Sequence, residues 1–424
     1  MSVRQTTLPN GLRIVSDRMA HLQSATIGVW IDVGARYESE EQNGITHLLE
    51  HMLFKGTDRR NARAIAEEIE AVGGHLNAYT SRDHTTFYAK VLKDDVPLAV
   101  DLLADILQHS QFDPVELERE REVILQEIGQ VKDTPDDIVF DLLQEAAFPD
   151  QALGRSILGT EQSVAALDAE AVRRYRDAHY RGGTMVVAAA GGVDHDELVS
   201  LVAEAFADVP AGRARSLSAG AYGGGEIRWT RDLEQLHLTL GFPSFGFDDP
   251  DYYALHVYTT ILGGGMSSRL FQELREVRGL AYTVHSFVST HVETGLLGIY
   301  AGTDPDAATQ IMPLLAHEIC QLGQDVTVEE IARARSQLKA GLLMSLESTS
   351  ARVEQMGRQL LVYDRILPIE ELVDRVDAVD RAAVVRVGER CLTGGPVTMA
   401  SIGPSQDLPA YEEIREAFDC KIAA

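Results

Sequence analysis

Asn-Gly-Ile-Thr-His-Leu-Leu-Glu-His-Met-Leu-Phe-Lys-Gly-Thr, residues 43–57, is the stretch on which the reading of the whole chain turns. Inside it, His47-Leu48-Leu49-Glu50-His51 has the pattern H-x-x-E-H. On a helix, positions i and i+4 lie on one face. The imidazoles of His47 and His51 therefore stand side by side, at a spacing that suits two ligands of one tetrahedral zinc. Glu50 falls on the neighbouring part of that face, where a carboxylate can reach a water held by the metal. Relative to the pattern H-E-x-x-H, the glutamate sits on the other side of the pair. The alternative is a helix with two incidental histidines, and five residues alone do not decide between them. The helix is expected from about Gly44 to Phe54, stopping near Gly56.

Outward from this helix, the chain reads as α+β. Residues 4–17 form two strands around the turn Pro9-Asn10-Gly11, and Ala25 to Val33 is a third strand. After the opening helix come a helix over Ala62 to Val72, a hairpin of His75 to Tyr79 with Thr85 to Val91, and a helix over Val96 to Gln108. Asp113-Pro114-Val115-Glu116 marks a helix start, with an N-cap aspartate, proline in the first turn and glutamate as the third helical residue. That helix should run to about Val131. Helices follow at Asp136 to Ala146, Leu167 to Tyr180 and Asp194 to Ala207, with a buried strand at Met185 to Ala190.

Residues 211–225 are rich in glycine and serine and lack periodicity, as a linker does. Beyond them the pattern repeats. Gln235 to Phe242 stands for Ala25 to Val33, and Tyr252 to Leu262 stands for the opening helix. Gly394-Gly395-Pro396 before Val397 to Ile402 matches Gly182-Gly183-Thr184 before Met185 to Ala190, at an offset of about 210 residues. The expected organisation is a metal-binding domain over 1–210, the linker 211–225 and a homologous domain over 226–424. The second copy reads His256-Val257-Tyr258-Thr259-Thr260 where the first has its motif, so only the first half is expected to bind metal.

Composition bounds the rest. With 424 residues, 45% hydrophobic and 24% charged, the chain is a globular protein of two or more domains. No apolar run approaches the roughly 20 residues that span a bilayer. The N-terminus shows neither a signal core nor an arginine-rich leader, so a cytoplasmic or an already processed organellar protein is expected. Cys320, Cys391 and Cys420, widely spaced and odd in number, read as reduced and structural. A net charge of −27 argues against nucleic acid as a partner. It serves solubility, or an acidic surface that attracts basic ligands.

Two histidines leave tetrahedral zinc short of a third protein ligand, with the fourth place open for water. The helix from Pro114 to Val131 offers Glu116, Glu118, Glu120, Glu122 and Glu127. Glu120 and Glu127 are two turns apart and share a face, whereas Glu118 and Glu122 read as solvated. Glu127 interrupts the apolar run Val123-Ile124-Leu125-Gln126-Glu127-Ile128, where a carboxylate is costly unless paired or bound to metal.

The segment His47 to Thr57, with a glutamate 76 residues past His51, resembles the pitrilysin-type inverted-zincin metallopeptidases. It is most similar to the branch of the mitochondrial processing peptidase β-subunit and its bacterial relatives, and the similarity covers essentially the whole chain. The resemblance implies two homologous α/β-sandwich domains of the LuxS/processing-peptidase-like fold, enclosing a peptide chamber. It implies one Zn2+ per chain, held by His47, His51 and Glu127, with Glu50 as general base and Glu120 supporting the site from behind. Asn77-Ala78-Tyr79-Thr80 resembles the substrate-binding edge strand, where a peptide adds by main-chain hydrogen bonds; an ordinary hairpin is the alternative. Phe54 resembles a residue lining the pocket just after the cleaved bond, or is plain core. Asp137 and Asp141 resemble an acidic pair that takes an arginine before the cleavage site, or are a solvated face. Arg275 and Tyr282 resemble the pair that the second domain turns towards the substrate, where both can stabilise a developing oxyanion. Gly263-Gly264-Gly265-Met266-Ser267-Ser268 is shorter than the glycine-rich loop of the processing peptidase α-subunit, which argues against the α role.

These features together imply a zinc endopeptidase acting on peptides or basic presequence-like segments, as a homodimer or as a heterodimer with an inactive homologue. A bacterial cytoplasm, or the mitochondrial matrix for a processed eukaryotic chain, is the expected setting. The rival is a non-catalytic relative serving as a structural core subunit; such relatives tend to lose the metal residues, all of which are present here.

Overall fold

The computed structural model describes residues 3–213 and 217–419; Cys420 and part of the expected linker, 214–216, lie outside the described residues. The chain divides into two compact units, neither continuous in sequence. The first comprises Met1–Gly129, Arg155–Leu217 and Leu343–Ile366, and the second Gln130–Gly154, Ser218–Leu342 and Leu367–Ala424.

The first unit holds a six-stranded sheet built from β1 (Val3–Thr7), β2 (Arg13–Arg18), β3 (Ser24–Ile31), β4 (His75–Thr80), β5 (Thr85–Leu92) and β6 (Met185–Gly191), in the order β1-β2-β6-β3-β5-β4. The second holds β7 (Gly225–Thr230), β8 (Leu236–Phe245), β9 (Ala281–Thr290), β10 (Thr294–Thr303) and β11 (Thr398–Gly403), in the order β7-β11-β8-β10-β9. The second order reproduces β2-β6-β3-β5-β4 position for position, with β1 as the addition. In both sheets the first of these pairs is parallel and the others antiparallel. The internal repeat read from the glycine pairs and apolar strands is thus a repeat of topology.

Both faces of each sheet are covered, which is why β6 and β11 are buried at every position. Alternation sorts the side chains. On β6, Val187 and Ala189 join the core that contains the helices of the first third of the chain, α1 (Ile45–Leu53), α2 (Ala62–Ala71), α3 (Val96–His109) and most of α4 (Pro114–Lys132). Val186, Ala188 and Ala190 point the other way, onto Val353, Met356 and Leu360 of the helix Thr349–Tyr363. In the second unit, Met399 of β11 packs with the helices of its own half. Ala400 and Ile402 pack with Ile138, Val139, Leu142 and Leu143 of α5 (Pro135–Ala147).

Two helices are therefore exchanged: α5 comes from the first half of the sequence and belongs to the second unit, and Thr349–Tyr363 does the reverse. Each sheet needs a cover for its second apolar face, and the other half of the sequence supplies it. Cys391 is a buried free thiol, whereas Cys320 is disulfide-bonded, which corrects the reading of all three cysteines as reduced.

Candidate metal centre

The periodicity of α1 decides what it presents. Ile45, Leu48, Leu49, Met52 and Leu53 are buried in the first unit's core. This turns His47, Glu50 and His51 to the opposite side, the positions i, i+3 and i+4. The helix begins at Gly44, whose φ of +93° is a left-handed conformation. A Cβ there would lie 2.7 Å from the carbonyl oxygen of Leu158, so only glycine fits.

Opposite α1, the helix α4 contributes Glu120 and Glu127 on one face. An oxygen of Glu127 lies 3.8 Å from Nε2 of His47 and 3.8 Å from Nε2 of His51. The three ligand atoms lie within 4.8 Å of one another. Bonds of about 2.0–2.1 Å to a tetrahedral zinc imply ligand atoms about 3.4 Å apart, so a small contraction would close this set. Burial, and then the charge of His51, push His47 down to about 3, which keeps its imidazole neutral and able to ligate. Nδ1 of His51 lies 3.0 Å from an oxygen of Glu120; were Nε2 to ligate a metal, Nδ1 would carry the proton and donate it to that carboxylate. Lys55 holds the other oxygen of Glu120 at 2.6 Å. Nδ1 of His47 is buried with no hydrogen-bond partner. Donor chemistry and spacing fit zinc. Glu118 and Glu122 are exposed on the far side of α4, as a solvated face requires.

Glu50 accepts a hydrogen bond of 2.5 Å from the hydroxyl of Thr80, the last residue of β4. Burial raises its carboxyl above the usual range, while Thr80 and the charge of His51 oppose that and Glu127 adds to it. Among the described residues β4 closes one end of its sheet and pairs with β5 alone, with Asn77–Tyr88, Ala78–Phe87 and Tyr79–Thr86 among the pairs. The Oδ1 of Asn77 accepts the N–H of Ala78 at 2.8 Å. The hydroxyl of Tyr79 donates to Glu354 at 2.8 Å. Phe54 packs on the core with its ring 6.1 Å from that of Phe87.

The remaining candidates lie in the second unit. Arg275 sits in a π-helical segment, Phe271–Val277, with its guanidinium 4.8 Å from the Phe271 ring and 5.0 Å from the Tyr282 ring. Tyr282, on β9, is 75% exposed. Arg278 is engaged elsewhere, with Glu273 at 2.7 Å. Asp137 and Asp141 are one turn apart on α5, and burial followed by the charges of Asp141 and Asp136 raises the carboxyl of Asp137. Thr80 belongs to the expected edge strand, but its bond to Glu50 was not foreseen, and no local pattern marks Lys55 or Glu38, a buried residue that binds the first turn of α1.

His47, His51 and Glu127 are close enough to share a metal ion and stand beside the Thr80-bonded carboxylate of Glu50, on one copy of a repeated α+β unit, an arrangement that suits a zinc peptidase. Residues 13–161 match the insulinase family, peptidase family M16, and residues 166–338 match the M16 inactive domain. The chain belongs to peptidase family M16, in its pitrilysin-type, processing-peptidase-like group. It is 42% identical over 427 residues to the probable mitochondrial-processing peptidase subunit beta of Arabidopsis thaliana, covering 97% of this chain and 80% of that one. It is 37% identical to the uncharacterized zinc protease YmxG of Bacillus subtilis, covering 96% and 100%. In fold it matches a peptidase M16 inactive domain from Pseudomonas fluorescens, with a TM-score of 0.88 at 20% identity over 96% and 99%. A chain of complex III from Candida albicans gives 0.87 at 21% identity over 98% and 100%. The family is one of zinc metallopeptidases. Among the described residues, no helix is long and apolar enough to cross a membrane.

Proposed function

We propose that this chain is an endopeptidase with one zinc held by His47, His51 and Glu127, and that Glu50 is its general base. The observation that carries this reading is the convergence of the two Nε2 atoms and the Glu127 carboxylate beside Glu50. When bound, zinc supplies a Lewis acid for the scissile carbonyl and a water of lowered pKa. Glu50 takes a proton from the attacking water and delivers it to the leaving amine. Burial, which raises its carboxyl, favours holding that proton between the two transfers. Thr80 keeps the carboxylate aimed by donating to one oxygen. Glu120 orients His51 and strengthens it as a ligand.

The substrate lies along β4 as an added strand. The N–H of Ala78, which the Asn77 side chain satisfies in the free protein, is the donor a peptide carbonyl would take over. Tyr79 is held by Glu354 and fixes the strand from behind. Phe54 lines the pocket after the cleaved bond. To Arg275 and Tyr282 we assign stabilisation of the oxyanion, and to Asp137 and Asp141 the recognition of an arginine before the cleavage site. The substrates are peptides or basic presequence-like segments, and the working form is a homodimer or a heterodimer with an inactive homologue.

The test is cleavage of a peptide library, read by mass spectrometry, before and after metal removal. A chelator should abolish cleavage and Zn2+ restore it, and Asp137→Asn/Asp141→Asn should lose arginine-containing sites selectively. Cleavage indifferent to the chelator would refute the metallopeptidase reading. Equal loss at all sites would refute the arginine pocket.

A further inference from the structure

Nothing in α1 caps its own N-terminus. Gly44 has no side chain to offer, and the first N–H groups of a helix lack intrahelical partners. Glu38, six residues upstream, supplies them. One carboxylate oxygen accepts the N–H of Thr46 at 2.8 Å, and the other accepts the N–H of Gly44 at 2.8 Å and Nδ2 of Asn43 at 3.0 Å. All three donors are uncharged, and Glu38 is only 4% exposed. Its burial is expensive, and pushes its carboxyl up to about 7. The left-handed φ of Gly44 and the close approach of the Leu158 carbonyl bar a serine or aspartate at the N-cap itself, so the cap has to come from elsewhere in the chain.

What Glu38 adds is a tie to the rest of the unit. It follows the turn Ala35–Tyr37, in which Arg36 pairs with Asp83 at 2.7 Å. The N–H groups of Ala35 and Arg36 donate to the carbonyls of Ser81 and Arg82, each at 3.0 Å. One end of this short segment thus grips the connection between β4 and β5, and the other grips the turn of α1 that carries His47. Asn43 extends the grip to the carbonyl of Ser156 at 2.9 Å.

We propose that Glu38 is a positioning residue for the metal centre: by holding the N–H groups of Gly44 and Thr46 it sets His47 and His51 in register with Glu127 and with β4. The proposal rests on the zinc assignment above, and its test separates the two. Zinc affinity is measured on the full chain by competition with a chromophoric chelator, at one pH, for wild type, Glu38→Ala, Glu38→Gln and His51→Ala. The visible absorption of the Co2+-loaded proteins reports ligand geometry, and circular dichroism reports folding.

Folded Glu38→Ala should bind zinc about 10–100-fold more weakly, as loss of an outer-shell partner does, with an altered Co2+ spectrum. Glu38→Gln keeps one acceptor oxygen but turns an amide NH2 towards a donor, and should fall between Glu38→Ala and wild type. If Glu38→Ala does not fold, Glu38→Gln decides by the same two readouts. Wild-type zinc affinity and an unchanged Co2+ spectrum in the folded variants would overturn the proposal, even with a lowered melting temperature. If His51→Ala binds zinc like wild type, the metal centre itself falls, and the proposal with it.

Discussion

Replacing Gly357 by alanine should destabilise the first unit, although alanine is the better helix former. A Cβ on Gly357 would lie 2.3 Å from Cδ2 of Trp30 and 2.7 Å from its Cγ and Cε2, where carbon atoms settle at about 3.5–4.0 Å. The indole cannot retreat. It is fully buried, and it already lies against β3, since a Cβ on Gly28 would come within 2.6 Å of its Cζ3. Its Nε1 is tied to Glu354 at 3.3 Å. The helix Thr349–Tyr363 must therefore lift from the sheet or the ring must tilt. Overpacking of this kind costs about 1–3 kcal/mol, and the gain in helix propensity offsets about 1 kcal/mol. A net loss of up to about 2 kcal/mol follows. The chain has two tryptophans, Trp30 in the first unit and Trp229 in the second. On a Trp229→Phe background, tryptophan fluorescence during denaturant unfolding thus follows the first unit alone. A Gly357→Ala protein more stable than its parent would refute the placement of this helix on Trp30. The penalty should also shrink when Trp30 is replaced by leucine, because the two sites are in contact and couple.

Two further outcomes are expected. Glu120→Gln should weaken zinc binding about 10–100-fold with little loss of fold, because it removes the carboxylate that orients His51; unchanged affinity in equilibrium dialysis would show that His51 needs no such partner. Burial raises Glu38 from 4.5 to about 7, so its stabilising contribution is full below about pH 4.5 and is lost as pH rises through about 7. That difference is worth about 3 kcal/mol, and Tyr175 beside it, raised by burial, keeps its proton throughout. Glu38→Gln should therefore lose less unfolding free energy than wild type between pH 4.5 and 8, and parallel pH profiles would contradict the buried ionisation.

The sequence revealed the elements that announce themselves locally. Glycine pairs before Met185 and Val397, the cap at Asp113 and the period of α1 each have one physical solution, and the structure contains it. The repeat was legible because both copies keep these signals. The helix exchange was not: Ile138, Val139, Leu142 and Leu143 say that α5 is buried, but not under which sheet. The π-helical turn at Arg275 leaves no pattern, since its extra residue per turn is set by packing. In the site, histidine spacing and an acid in an apolar run exposed the three ligand candidates. Thr80 acts through one hydrogen bond to a residue 30 positions away, and Glu38 through three to residues five to eight positions on; neither follows a helical or strand period.

If Glu50 moves the proton while His47, His51 and Glu127 hold the metal, Glu50→Gln separates the two roles when zinc content and peptide turnover are measured on one preparation. The variant should hold about one zinc per chain, as in wild type, with turnover reduced by at least about 10²-fold, the scale of general-base catalysis. Turnover at the wild-type rate with zinc retained would contradict the role given to Glu50.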